Sequence, residues 1–376
     1  MKNSIKLFTL YGINIYVHWT FTLLFGGILI LQYAGGAGWE QSLWTLWAIV
    51  AILGCVLLHE LGHALAAAKF GIHSNNIILL PIGGMINMEK IPEHPIQEVI
   101  ISLSGPLVNL LISGILALFI RGNLFPWNAS QNMVAIQADN FLYYLYYANI
   151  VLAIFNLIPA FPMDGGRVLR GILALFTTSD KATTVAALTG RIIASAFIVA
   201  GIIFFNIMLM LIGLFIFVSG TSEEKLLFLK EAGKGILLKE IITRPYTILR
   251  PETTMIEAAE MLLYHQDDVF IIAESEQGIG VVSRDTILTA IINGKHQDVV
   301  RSYISEHSRT LQATATLTEA IDLLALNNGK TIGVAVNHQV KGAVKMQDII
   351  EYLIIRNAHT STLKKSSAIY KFVQAG

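Results

Sequence analysis

The chain has 376 residues, of which 54% are apolar and 14% charged, with 26 basic and 26 acidic side chains and no net charge. Soluble domains carry about 25% charged residues, so this composition excludes a purely soluble globular protein. The neutral balance leaves no electrostatic footprint for nucleic acid, and one cysteine, Cys55, excludes an internal disulfide.

The charges are unevenly placed. Residues 1–221 hold 9 Lys/Arg and 8 Asp/Glu, and residues 222–376 hold 17 and 18. The first part reads as membrane-embedded and the second as soluble. The expected fold class is a polytopic α-helical membrane protein with six transmembrane helices, followed by a soluble α/β repeat pair.

Lys2 and Lys6 precede the apolar run 17–32, predicted as span 1, with His18 as an interfacial side chain at its start. A cleavable leader ending near residues 34–37 is the competing reading. The length of the run and the spans that follow weigh against it. Span 2 is predicted over 42–70 and contains His59-Glu60-Leu61-Gly62-His63. Residues four apart share a helix face, so His59 and His63 can aim ring nitrogens at one ion. Two imidazoles suit tetrahedral zinc, and Glu60 falls where it can take a proton from a water activated by the ion. Polar groups at membrane depth are costly, and three within five residues require a reason. A chance match and a hydrogen-bonded His pair without metal are the bland readings. Cys55, one turn earlier, reads as a core thiol.

Residues 76–88 are too short to span as a helix, and Pro81 with Gly83-Gly84 predicts a turn. A hairpin or re-entrant segment beside the site is expected, either as an edge strand that pairs with unwound substrate or as a plain connection. Lys90, Glu93, His94 and Glu98 mark a return to water. Span 3 covers 99–120. Its polar start, Ser102, Ser104, Gly105, Pro106 and Asn109, reads as a kink freeing a carbonyl near the site or as a small-residue packing face. A polar loop, 121–140, leads to span 4, 141–158, with tyrosines 143, 144, 146 and 147 near its start as in an interfacial belt.

Span 4 ends in Asn156-Leu157-Ile158-Pro159-Ala160-Phe161-Pro162-Met163-Asp164-Gly165-Gly166-Arg167, where prolines and glycines break the helix. Asp164 is the only Asp or Glu between Asn140 and Ser179. It is a candidate third metal ligand; a helix cap is the alternative, and the two roles are compatible. Spans 5 and 6 cover 185–204 and 207–218, with Arg191 snorkelling or facing a polar interior. Six spans put both termini on one side. Lys2, Lys6, Lys69, Lys90, Arg167, Arg170, Lys181 and Lys225 fall there and Arg121 opposite. The positive-inside rule makes that side the cytoplasm of a multi-pass cell-membrane protein.

A charged linker, 222–234, precedes an internal repeat. Residues 249–258 match 311–320, and 280–283 match 342–345, both at an offset of 62. The first copy is assigned to 235–296, the second to 297–358 and a tail to 359–376. Each copy reads strand, helix, strand, strand, helix.

His59-Glu60-Leu61-Gly62-His63, the 156–165 stretch, and Ser104-Gly105-Pro106 with Asn109 together resemble the site-2 proteases, zinc metalloproteases that cut membrane-tethered substrates within the bilayer. The resemblance covers about residues 10–221. It implies one Zn2+ held by His59, His63 and Asp164, and Glu60 as general base and later proton donor to the leaving amine. It also implies a membrane-embedded protein substrate, with Asn156 holding it or stabilising the oxyanion. The repeat is similar to a CBS-domain pair, which the prokaryotic six-span branch often carries. Such pairs bind adenine nucleotides such as ATP, and a G-h-h-[ST]-x-x-D pattern implies Ser283 in the first copy and Asp348 in the second. Thr286 and Lys345 each depart from it, so a regulatory nucleotide site and a homodimerisation module both stay open. The competing function from another class is a transporter or channel gated by its CBS pair, with ion flux and no zinc.

Overall fold

The computed structural model describes residues 4–81, 83–88, 92, 94–120, 136–241, 247–264, 269–274, 277–304, 310–326, 331–337 and 339–359. Lys2, Lys90, Glu93, Arg121, most of the 121–140 loop and nearly all of the tail lie outside them. The chain forms two compact units, Met1–Glu224 and Lys225–Gly376.

The first unit opens with β1 (Ser4–Leu10) and β2 (Ile13–His18), then α1 (Thr20–Ala34) and α2 (Trp39–Ala68). Next come β3 (Ser74–Leu80) and β4 (Gly83–Met88). The four strands make one sheet in the order β1-β2-β3-β4. β2 and β3 run parallel, and the outer pairs are antiparallel. Alternate residues of the two central strands, Ile13, Ile15, Ile77 and Leu79, are buried, as a period of two requires when one face is covered. Ile13, Ile77 and Leu79 pack with Leu61 and Ala64 of α2. The sheet therefore rests on the helix that carries the His pair, and β3 and β4 form the expected antiparallel pair, with β4 an edge among the described strands. Gly83 opens that strand at φ 144°, a conformation open to glycine.

Residues 17 and 18, predicted as the start of span 1, belong instead to β2. The helix that follows has 15 residues, fewer than the roughly 20 of a full crossing. The His18 Nδ1 lies 2.8 Å from the hydroxyl of Thr20 at the helix start.

The helical part continues with α3 (Pro95–Phe119), α4 (Phe141–Asn156), α5 (Asp164–Ala174), α6 (Ser179–Ile203) and α7 (Ile207–Ala232). Among the described residues four helices, α2, α3, α6 and α7, are long and apolar enough to cross a membrane, while α1 and α4 are shorter apolar helices. Leu107, Leu111 and Leu118 of α3 are 58%, 63% and 82% exposed, an apolar stripe suited to lipid. The α3 helix begins before the predicted residue 99 and draws Glu98 into the interior. Glu98 was expected in water; it is 8% exposed because Arg170, 72 positions later, supplies the opposite charge. Arg191 of α6 also has a partner, the buried Glu224 of α7, at 3.3 Å.

The second unit holds two copies of one motif. The first is β5 (Ile248–Leu249), α8 (Met255–Tyr264), β6 (Val269–Glu274), β7 (Gln277–Ser283) and α9 (Arg284–Ile292). The second is β8 (Thr310–Gln312), α10 (Leu317–Leu326), β9 (Ile332–Val336), β10 (Gln339–Val344) and α11 (Met346–His359). Each sheet pairs its first two strands parallel and its last two antiparallel. The segments leading into the copies are exchanged: Leu237 bridges to Thr316, and Val299 to Thr254. Accordingly Ile236 and Leu238 are buried in the core of the second copy with Leu317, Ile321 and Leu353.

Ser283 caps α9, its hydroxyl accepting from the Thr286 N–H at 3.3 Å. Replacing it by alanine is expected to lower the stability of this unit by about 1 kcal/mol. The measurement is urea unfolding of the second unit's transition. An unchanged midpoint would mean that the hydroxyl contributes nothing to the cap.

Candidate metal centre

Three side chains from distant parts of the chain converge. His59 and His63 lie on one face of α2, with ring centroids 4.7 Å apart and planes at 85°. Their Nε2 atoms are 3.1 Å apart. Asp164 Oδ2 lies 3.2 Å from His59 Nε2 and 3.1 Å from His63 Nε2. Both histidines are buried, at 6% exposure.

Asp164 is placed there by the break after α4. It is the first residue of α5, directly after the N-cap Met163, and its carboxylate reaches both histidines. Glycines allow the reversal. A Cβ on Gly165 would fall 2.3 Å from the Leu157 carbonyl oxygen, and one on Gly166 would fall 2.6 Å from the Ala160 carbonyl carbon.

The α3 helix closes the other side. The His63 Nδ1 lies 2.7 Å from the Ile101 carbonyl oxygen, which also accepts from the Ser104 hydroxyl. A carbonyl partner puts the ring proton on Nδ1 and leaves Nε2 with a lone pair. That lone pair faces a second imidazole nitrogen and a carboxylate oxygen. Three such donors call for a cation at their centre. Tetrahedral zinc with nitrogen and oxygen ligands at about 2.0–2.2 Å sets its donors roughly 3.3 Å apart, close to the 3.1–3.2 Å edges seen here. The donor set fits zinc. Among the described residues His59 Nδ1 has no hydrogen-bond partner.

Glu60 is 9% exposed and lies against β4. A Cβ on Gly84 would meet its Oε1 at 2.5 Å. The edge strand and the carboxylate therefore share one wall of the site. Asn156 ends α4, and its amide donates to the Leu152 carbonyl at 3.0 Å, within its own helix. Cys55 is buried, and its sulfur accepts from the Asn149 amide at 3.3 Å, in keeping with a core thiol.

The Peptidase family M50 profile matches residues 47–125 and 122–197. A zinc metalloprotease of Methanocaldococcus jannaschii is 32% identical over 357 residues, covering 94% of this chain and 97% of that one. The chain belongs to peptidase family M50. Another similar protein is stage IV sporulation protein FB of Bacillus subtilis, 30% identical over 123 residues, 32% of this chain and 38% of that one. Among solved structures, a site-2 protease from Methanocaldococcus jannaschii is 36% identical. It covers 59% of this chain and 95% of that one, with a TM-score of 0.44.

This M50 chain also carries a CBS domain, matched over residues 238–293. Ser283 and Asp348 both sit at helix starts. Ser283 caps α9, and Asp348 Oδ2 accepts from the Lys345 N–H at 2.9 Å. Sequence reasoning missed the ion pairs that surround the M50 site. Arg167, one turn beyond Asp164, donates to Glu223 at 2.6 Å, and Arg170 donates twice to Glu98. A signal was available, since both arginines directly follow the break that delivers Asp164.

Proposed function

We propose that this chain is an intramembrane zinc protease that hydrolyses peptide bonds in or near transmembrane segments of membrane-tethered proteins. The observation that carries the reading is the convergence of His59 Nε2, His63 Nε2 and Asp164 Oδ2 on one point. These residues would hold the ion and leave a fourth position open. A bound zinc supplies a Lewis acid and acidifies a water molecule.

The remaining chemistry belongs to the chain. Glu60 takes a proton from the attacking water as its oxygen bonds to the peptide carbon. It then delivers that proton to the amine as the C–N bond breaks. The β4 strand is an edge among the described strands and lies beside Glu60, and an unwound substrate segment pairs with it as an added strand. Substrate helices must open locally, because helical carbonyls are already bonded. Asn156 lies at the helix end that leads to Asp164 and borders the substrate path. The six apolar helices α1–α4, α6 and α7 would serve as the spans, with both termini cytoplasmic.

The repeats over 235–358 serve as a homodimerisation module. Thr286 and Lys345 stand where the ribose pattern requires an acid and a hydroxyl, so neither copy carries the full pair of ribose-binding groups, which favours this role over ATP binding. Titrating ATP against the full chain should leave the melting temperature unchanged. A saturable rise would restore the nucleotide reading.

Removing the third ligand tests the metal site. Asp164→Ala should lower zinc affinity by at least about 100-fold, measured by competition with a chromophoric chelator, since two imidazoles alone make an incomplete set. Unchanged affinity would leave the carboxylate without a role at the ion.

A further inference from the structure

Arg170 and Glu98 form a buried two-pronged pair just outside the metal centre. Arg170 Nε donates to Glu98 Oε1 at 2.8 Å, and Nη2 donates to Oε2 at 2.7 Å. Both side chains are about nine-tenths buried, with 9% and 11% exposed. A further arginine nitrogen, Nη1, points at the Thr183 hydroxyl at 3.4 Å. That hydroxyl donates to the Ser179 carbonyl at 3.0 Å, so its lone pair faces the guanidinium. The cluster joins the first turn of α3, the middle of α5 and the first turn of α6.

Stability alone does not account for it. Taking a carboxylate and a guanidinium out of water is costly for each ion, and apolar side chains of similar volume often serve packing equally well. What the pair provides is geometry, because two parallel bonds fix distance and orientation together. The elements it fixes are those that build the metal centre. The α5 helix begins at Asp164, six residues or roughly 9 Å before Arg170. The α3 helix carries Ile101, whose carbonyl holds His63, one turn beyond Glu98. Beside the pair the two helices are pressed together: a Cβ on Gly171 would fall 2.7 Å from Val99 Cγ2 and 3.1 Å from the Pro95 carbonyl oxygen.

We propose that Glu98 and Arg170 are positioning residues that set Asp164 against the paired histidines. The proposal rests on the reading of His59, His63 and Asp164 as ligands to zinc. Arg170 acts through the register of α5 on α3, with Thr183 steadying its free edge.

Arg170→Lys tests it on the full chain in detergent, because lysine keeps the charge and loses the fork. Zinc affinity, read by chelator competition, should fall by about tenfold, as outer partners of metal ligands commonly show. In an Asp164→Ala background the same change should cause no further loss, because the carboxylate it positions is gone. Unaltered affinity in Arg170→Lys, or losses that multiply in the double variant, would overturn the proposal. If Arg170→Lys does not fold, Glu98→Leu/Arg170→Met replaces the ions by an apolar pair, and the same tenfold loss and the same non-additivity are expected. Loss of zinc in Asp164→Ala with none in either pair variant would sink this inference alone. Wild-type affinity in Asp164→Ala would sink the ligand reading, and this inference with it.

Discussion

Glu60→Gln should abolish cleavage while leaving zinc bound. The carboxylate is not among the three atoms that converge on the ion position, so its replacement by an amide of the same size removes no ligand. Its neighbour on the other side is the Gly84 backbone of β4, and glutamine keeps the shape that fills this space. What is lost is proton acceptance, because a neutral amide cannot take a proton from water near neutral pH. General-base catalysis contributes about 10²–10⁴-fold, and a loss of that size is expected in single-turnover cleavage of a transmembrane substrate in vesicles. Zinc content, measured by atomic absorption on the same preparation, should match the wild type. Cleavage at an undiminished rate would remove Glu60 from the mechanism. Loss of zinc together with cleavage would make it a structural support of the ion.

The two strongest local signals in the sequence lie where chemistry and periodicity agree. His59 and His63 share a face because a helix repeats every 3.6 residues, and their rings do meet. Asp164 was legible as an isolated carboxylate among helix breakers, but its choice between cap and ligand was not. That choice depends on how α5 leaves the turn, which Gly165 and Gly166 govern through contacts with Leu157, Ile158 and Ala160. Pairings across long separations left no mark. Glu98 at the head of an apolar helix reads as a surface charge until Arg170 is placed beside it. The β1–β2 hairpin was hidden because β2 finds its second neighbour, β3, in parallel register some 60 residues on. The 62-residue repeat was visible because it is written twice. The exchange of its lead-in segments was not, since Leu237 and Val299 each pair with the other copy's helix start.

Gly105 shows how much of the metal centre is set by the absence of a side chain. It lies in α3 beside Pro106, where sequence alone suggests a kink. In the structure a Cβ at this position would fall 2.3 Å from His63 Nε2 and 2.7 Å from His59 Nε2. Those are the two atoms that would bind zinc. His63 is tied through Nδ1 to Ile101, and both imidazoles are buried. Gly105→Ala therefore places a methyl group against both donor nitrogens. Zinc affinity should drop by at least about 100-fold, the upper end of what perturbing a ligand's support costs, and proteolysis should be lost with it. Gly114→Ala, on the same helix with nothing within 4 Å of its added Cβ, is the control. There alanine should stabilise the helix by up to about 1 kcal/mol and leave zinc binding intact. Equal zinc affinity in the two variants would show that α3 can shift away from the histidines, and that the close approach at Gly105 is not what shapes the site.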